Sequence, residues 1–209
     1  LGAYGAYPRA RDFRCACVTL RRVMRNLSSF SKRIVTALVL SAALGGPVFA
    51  DDAKLDELYE KLADPEKQNW ELVQSDILRE WSKSGSPAMD LLLKRGHDAM
   101  EIGDFDAAIE HLTALTDHAP DFAEGWNARA TAYFLAGEFG PSVADIGKTL
   151  QLNPHHFGAL AGMGHIFLAL EKKELALRAY ERALDVYPMM RAVQKQVGEI
   201  ADELSGSQL

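Results

Sequence analysis

Six histidines are the residues of this 209-residue chain with the clearest capacity for metal binding or acid–base chemistry. They are His97, His111, His118, His155, His156 and His165. A zinc site in a protein needs three or four converging ligands. His111 and His118 lie about two helical turns apart with no carboxylate placed to complete a site, and the adjacent pair His155 and His156 predicts at best a weak surface site. The histidines therefore predict no metal centre.

Other signatures of catalysis are also missing from the sequence. There is no glycine-rich phosphate loop and no Ser/His/Asp order typical of a nucleophilic triad. The two cysteines, Cys15 and Cys17, lie in a leader that we expect to be removed. We therefore predict that the protein is not an enzyme and takes no cofactor.

The elements that position these residues recur at one fixed interval along the chain, which separates Pro120 from Pro154 and Pro154 from Pro188. In the central copy, large, small and terminal positions are occupied by Trp126, Ala130, Tyr133, Ser142, Ile146 and Pro154. The same frame one interval earlier gives Leu92, Gly96, Ala99, Ala108, Leu112 and Pro120. One interval later it gives Leu160, Gly164, Phe167, Ala176, Tyr180 and Pro188. A fixed period of this length indicates a helical repeat architecture.

Each copy predicts two helices, because small residues recur where two helix axes must approach within about 8–10 Å and a proline recurs where the second helix must end. We assign the three copies to residues 89–122, 123–156 and 157–190. In the central copy the pattern places Trp126 and Tyr133 between the helices. The sequence thus predicts an all-α fold.

This pattern of small and large positions with a terminal proline resembles the tetratricopeptide repeat family. The resemblance implies a right-handed α-solenoid of three helix pairs, with the first helix of each pair lining a concave groove. His97 and His165 would occupy the same groove position in the first and third repeats, about 20 Å apart at about 8–10 Å per helix, too far to share a metal ion. The groove positions that the resemblance implies as candidates for partner binding are Asp90, Leu93, His97, Glu124, Asn127, Thr131, Phe134, Ala161 and His165.

Two features of this groove bear on its partner. One subclass of the family grips a C-terminal carboxylate with a lysine and an asparagine at two fixed positions. Here those positions hold Leu93/His97, Asn127/Thr131 and Ala161/His165, so we disfavour that mode.

In the third repeat, Gly158, Ala161, Gly162 and Ala169 predict a nearly bare floor. The small residues serve either tight packing, including packing of the chain's own last helix, or the close approach of a partner backbone.

Helical segments flank the repeats. Residues 51–87 predict a pair of helices whose second member, with Trp70 and Trp81 on one stripe, covers the exposed side of the first repeat. Residues 191–204 predict a terminal helix that covers the third. Solenoids need such caps because each repeat leaves an apolar face open to its neighbour.

The start of the chain resembles an export signal. Residues 24–50 combine basic residues, a short apolar run and small side chains at Val48 and Ala50, so we expect cleavage after Ala50. The alternative is an uncleaved anchor helix. Residues 1–23 have no structural period, and we interpret them as a non-native extension upstream of Met24.

The charge of the remaining chain limits its partners. Without residues 1–50 it keeps 15 basic and 28 acidic residues and no cysteine. An acidic surface repels phosphate groups, so we exclude nucleic acid as a partner.

After cleavage we expect no stable membrane span and a monomer or weak dimer. We predict a periplasmic scaffold, similar to short exported bacterial tetratricopeptide proteins, that binds a partner segment in its groove. The alternative is a structural subunit that docks into an envelope complex through its convex face.

Overall fold

The computed structural model describes residues 50–64 and 69–206, which belong to one compact unit. The predicted extension at 1–23 and nearly all of the predicted signal lie outside the described residues. The described part is helical, and its helices are α1 Ala50–Leu62, α2 Trp70–Trp81, α3 Pro87–Glu101, α4 Phe105–His118, α5 Ala123–Leu135, α6 Phe139–Leu152, α7 Phe157–Ala169, α8 Lys173–Val186 and α9 Arg191–Gly206.

Helices α3 to α8 form three consecutive pairs with the predicted period. The second helices of the pairs begin at Phe105, Phe139 and Lys173, which are separated by the same fixed interval as the prolines. Each pair packs on itself and on the next, and the first helices α3, α5 and α7 contact one another in order. The predicted all-α solenoid is confirmed.

The turn inside each pair has one geometry in all three repeats. The amides of Asp104, Glu138 and Lys172 donate to the carbonyls of Ala99, Tyr133 and Phe167, which closes the first helix of each pair. This turn needs one residue with a left-handed backbone, and glycine adopts that conformation without a steric penalty. Gly103 and Gly137 supply it at φ +78° and +80°. In the third repeat Glu171 takes the place at φ +57°, which a residue with a Cβ adopts at some cost.

The turn between pairs depends on the recurring proline. Ala119, Asn153 and Tyr187 end the second helices at ψ of 66°, 93° and 84°. Each of these residues precedes a proline, which disfavours helical backbone at the residue before it. The prolines therefore end the second helix of every pair, as the sequence predicts.

The small positions of the first helices admit large side chains from the second. A Cβ built on Gly96 would lie 2.5 Å from Cγ of Leu112, and one built on Gly164 would lie 2.5 Å from Cδ1 of Tyr180. In the second repeat, Ser142 Oγ donates a 2.7 Å hydrogen bond to the carbonyl of Ala130. The second repeat thus shows the contact between two small residues that the pattern suggests, Ala130 and Ser142. In the first and third repeats, Gly96 and Gly164 make room for Leu112 and Tyr180.

We expect Gly164→Ala to lower the free energy of unfolding by up to about 2 kcal/mol, since overpacking costs about 1–3 kcal/mol and the gain in helix propensity returns about 1 kcal/mol. The added methyl group would displace the fully buried ring of Tyr180. Gly198 in α9 is the matched control, because no atom lies within 4 Å of a Cβ built there. Gly198→Ala should raise stability in the same urea titration, and a shift of both variants in one direction would contradict the packing argument.

The N-terminal pair α1–α2 lies elsewhere than on the first repeat. Leu62 and Ile77 are fully buried in a cluster with Phe157 and Tyr187, the residues that flank the turns after α6 and α8. The phenol of Tyr187 also donates to Oε1 of Gln74 in α2, at 3.2 Å. This differs from the expected cover over the first repeat, because the apolar stripe of α2 finds its aromatic partners at the turns of the second and third repeats.

Helix α9 covers the third repeat. Val193 and Ile200 are 2% exposed and share a buried cluster with Leu160, Tyr180 and Ala183. Among the described helices, none combines the length and apolar character that crossing a bilayer requires.

Candidate functional site in the groove between α5 and α7

A cavity of about 340 Å³ opens between the first helices of the second and third repeats. We call it the groove cavity. Its wall consists of Asn127, Ala130, Thr131, Phe134, Leu135, Ser142, Ile146, Gly158, Ala159, Ala161, Gly162, His165, Ile166 and Met190. None of these residues is an aspartate, glutamate, lysine or arginine. The cavity therefore suits a ligand with apolar and uncharged polar groups.

Five of the nine predicted binding residues line this cavity. They are Asn127, Thr131, Phe134, Ala161 and His165. Residues at equivalent positions of neighbouring repeats thus meet at one surface, because α5 and α7 are adjacent in the stack. The other four predicted residues lie outside its wall.

Those four residues have other surroundings. Asp90 accepts hydrogen bonds from the amide and the hydroxyl of Ser84 and so fixes the loop before α3. Leu93 is 6% exposed and belongs to the core of the first repeat. His97 is exposed on α3. Glu124 lies at the start of α5, where its carboxylate is bonded to a buried histidine.

Two polar residues of the wall, Asn127 and Thr131, form hydrogen bonds within α5. The hydroxyl of Thr131 donates to the carbonyl of Asn127 at 3.0 Å, and the amide of Asn127 donates to Glu124 at 3.3 Å. Phe134 leans against Phe139 with ring centroids 5.8 Å apart. One edge of the cavity is therefore aromatic, and the asparagine on α5 is held in place from outside.

His165 is the polar residue that α7 contributes to the wall. Its Nδ1 lies 2.7 Å from the phenol oxygen of Tyr180 in α8, and the two rings meet edge to face. Burial raises the pKa of Tyr180 to about 12, and partial desolvation of the imidazole lowers the pKa of His165 below its ordinary value. The phenol is thus protonated and the imidazole uncharged at neutral pH.

The small residues on α7 divide between the two explanations left open by the sequence. Ala161 is 5% exposed and belongs to the buried core cluster of the third repeat, so its small size serves packing. Gly162 lines the cavity, and a Cβ built there would meet only Cδ1 of Ile146, at 3.6 Å. Gly162 is therefore the position where the floor is bare.

His156 is not part of a surface site, contrary to expectation. It is 1% exposed, and its Nδ1 accepts a hydrogen bond from the amide of Ala159, which caps α7. Its Nε2 lies 3.0 Å from Oε2 of Glu124, and its ring stacks on Trp81 with centroids 4.0 Å apart. The sequence signal that was missed is the position of His156, immediately before a helix at the place of a capping residue.

A second, more open cavity of about 430 Å³ lies between α1–α2 and the inter-repeat turns. Several of its polar groups are engaged in bonds that hold the N-terminal pair. Glu80 is bonded to Lys54 and Lys83, and Asn153 lies within 3.4 Å of the hydroxyl of Tyr59. We therefore take the groove cavity as the functional candidate.

Over residues 50–64 and 69–206, no three His, Cys, Asp or Glu side chains converge as a metal site would require.

Sequence comparisons agree with this architecture. Two family profiles, both described as tetratricopeptide repeat, match residues 93–146 and 157–188. A TPR repeat-containing protein of Rhizobium etli is 38% identical over 157 residues, which is 74% of this chain and 76% of the relative. The small glutamine-rich tetratricopeptide repeat-containing protein 2 of Saccharomyces cerevisiae is 28% identical over 150 residues, or 70% of this chain and 43% of the yeast protein. The chain thus spans three quarters of the bacterial relative and less than half of the yeast one.

Solved structures with the same fold have bound peptides in some cases. The first TPR domain of Spaghetti (RPAP3), bound to the HSP90 peptide SRMEEVD, is 28% identical with a TM-score of 0.55, and the match covers 57% of this chain and 98% of that domain. The Sgt2 TPR domain of Aspergillus fumigatus is 20% identical with a TM-score of 0.55 over 59% of this chain and 83% of that one, a likeness in fold. Given these matches and its helix pairs stacked at a fixed interval, the chain belongs to the tetratricopeptide repeat family.

Proposed function

We propose that this protein is a non-catalytic interaction scaffold that binds an extended segment of a partner protein in the groove cavity. The observation that carries the proposal is the convergence of Asn127, Thr131, Phe134 and His165 on one uncharged cavity beside the bare floor at Gly162. A groove with small residues lets a peptide backbone approach closely, while pockets beside it accept side chains. The RPAP3 domain, which is 28% identical, binds a peptide of HSP90.

The partner segment differs in kind from that HSP90 peptide. SRMEEVD is acidic and ends in a carboxylate, and such a ligand calls for basic groups in the groove. No lysine or arginine lines the groove cavity. The positions where the carboxylate-gripping subclass has lysine and asparagine hold Asn127/Thr131 and Ala161/His165 at this cavity. We therefore propose that the segment is recognised away from a chain terminus.

Export is the second part of the proposal. The pattern of residues 24–50 supports secretion with cleavage after Ala50, into the periplasm of a bacterium. The Rhizobium relative supports a bacterial setting for this repeat arrangement. Mass spectrometry of protein from the periplasmic fraction tests it: a chain that begins at Asp51 agrees with the proposal, and a chain that retains the apolar run indicates an anchor.

We expect Gly162→Trp to weaken peptide binding at least tenfold. The indole would fill the cavity at the position where only Ile146 stands nearby. The probe is the dodecapeptide of highest affinity selected from a random phage-displayed library on the full chain, with its dissociation constant measured by calorimetry. Thr131→Trp, at an exposed position of the same wall, is a second blocking variant that leaves α7 unchanged.

Gly147 supplies the matched control for this experiment. It lies in α6 outside the cavity wall, and no atom lies within 4 Å of a Cβ built there. Gly147→Trp should leave the affinity unchanged. Equal binding by wild type, Gly162→Trp and Thr131→Trp would remove the groove cavity as the binding site, and failure of the library to yield any binder would argue against a peptide scaffold.

A further inference from the structure

The contact between Tyr180 and His165 determines where the proton lies on the imidazole. Tyr180 is fully buried, and its phenol oxygen is 2.7 Å from Nδ1 of His165. Within the described part of the chain, this is the hydrogen bond that the phenol makes. One of the two groups must donate and the other must accept.

The phenol is the donor. If Nδ1 carried a hydrogen and donated to the phenol oxygen, the phenol's own hydrogen would be buried without an acceptor, which carries a desolvation penalty. Burial also raises the pKa of Tyr180 to about 12, so the phenol keeps its hydrogen. Nδ1 of His165 therefore accepts, and in the uncharged ring the remaining hydrogen lies on Nε2.

The Nε2–H group then faces the groove. The ring edge with Nδ1 points to the buried phenol, so the edge with Nε2 points away from it, and His165 is exposed in the wall of the groove cavity. The same wall carries apolar side chains, with Phe134 on α5 and Met190 after α8. The cavity thus presents one oriented, uncharged donor on a largely apolar surface.

From this geometry we propose that His165 determines specificity by donating its Nε2–H to a carbonyl oxygen of an uncharged, apolar stretch of the partner, with Tyr180 as the residue that positions the ring. The inference rests on the proposed function and names the class of partner for that site. A backbone carbonyl in an extended segment meets the donor without bringing charge into the cavity. A carboxylate or ammonium group would lose its hydration there, with no residue of opposite charge in the wall.

Two substitutions at His165 separate donation from bulk. His165→Phe keeps a ring and removes the donor, whereas His165→Gln keeps an uncharged N–H group of similar reach. With the selected dodecapeptide as the probe, we expect His165→Phe to weaken binding about fivefold, the effect of one hydrogen bond between neutral groups, and His165→Gln to bind within about twofold of wild type. Thermal unfolding of each variant verifies that the fold is kept.

Two further readouts concern the ring and the partner directly. Nitrogen-15 shifts of His165 should show hydrogen on Nε2 in the wild-type protein, and Tyr180→Phe should restore a mixture of both tautomers. A copy of the probe with aspartate or lysine in place of its central apolar residue should bind at least tenfold more weakly.

The results distinguish a failure of the role proposed for His165 from a failure of the proposed peptide-binding function. Equal binding by wild type and His165→Phe, together with a loss in Gly162→Trp, would overturn the role of His165 and leave the groove as the binding site. Hydrogen on Nδ1 in the wild-type ring would also overturn it. A probe whose affinity none of these variants changes would contradict the proposed function itself.

Discussion

Replacing Asp145 with alanine is expected to lower the free energy of unfolding by about 3–5 kcal/mol, the cost of leaving one partner of a buried ion pair uncompensated. The carboxylate of Asp145 in α6 accepts two hydrogen bonds from Arg129 in α5, at 2.7 and 2.9 Å. The side chains of Arg129 and Asp145 are 13% and 7% exposed. The guanidinium stays charged because its hydrogen bonds to Asp145 raise the pKa of Arg129.

The same guanidinium connects two repeats. Its third nitrogen donates to the hydroxyl of Thr116 in α4 at 2.8 Å and lies 3.3 Å from that of Thr113. The guanidinium carbon of Arg129 also lies 4.9 Å from the ring centroid of Trp126. Loss of the carboxylate would therefore loosen the junction between the first and second repeats as well as the second repeat itself.

Asp98 provides the control for Asp145→Ala. It pairs with Lys94 on α3, where both side chains are more than half exposed, and such surface pairs contribute at most about 1 kcal/mol. Asp98→Ala should thus change urea unfolding by well under that amount. Removing both charges with Arg129→Met and Asp145→Leu should recover much of the loss, and a cost for Asp145→Ala below about 1 kcal/mol would contradict the importance of the buried pair.

Replacing Trp81 with alanine is expected to detach α1–α2 from the repeats. The indole is 7% exposed, stacks on His156 with centroids 4.0 Å apart and lies 4.8 Å from the ring of Phe157. Its Nε1–H donates to the hydroxyl of Tyr59 at 3.0 Å. Truncating a buried tryptophan to alanine costs about 3–5 kcal/mol, and here the loss falls on the contact between the N-terminal pair and the solenoid.

Amide hydrogen exchange distinguishes local detachment from general unfolding. In Trp81→Ala, protection should fall in α1 and α2 while α4 to α8 keep theirs, because those repeats retain their own core clusters. Leu72→Ala is the control, since Leu72 lies on the same helix and is 67% exposed. Unchanged protection in α1 and α2, or an equal loss along the whole chain, would contradict this account.

The repeated part of the fold could be predicted because local rules determine it. Pro120, Pro154 and Pro188 end the second helices of the repeats because proline disrupts a helix. The fixed interval between these prolines assigns the other residues to helix faces. The groove positions on α5 and α7 were implied by the resemblance to the tetratricopeptide repeat family, and Asn127 and His165 at those positions do line one cavity.

The remaining features depend on contacts between distant residues that no local pattern encodes. The N-terminal pair carries an apolar stripe, but the stripe alone does not indicate which surface it packs against. In the structure Trp81 contacts His156 and Phe157 instead of the first repeat. The core packing of Ala161 could not be separated from a bare floor, since both need a small residue. Arg129 on α5 pairs with Asp145 on α6. Their spacing along the sequence does not distinguish a buried ion pair from two exposed charges.

A chemical-shift map of the labelled full chain, titrated with the selected dodecapeptide, shows whether the partner segment lies in the groove cavity. We expect the largest shifts on Asn127, Thr131, Phe134, Gly162 and His165. Shifts concentrated on the outer helices α4, α6 and α8 would favour docking through the convex face. Shifts confined to Tyr59 and Trp81 would place the ligand in the second cavity, and either of these results would contradict the account.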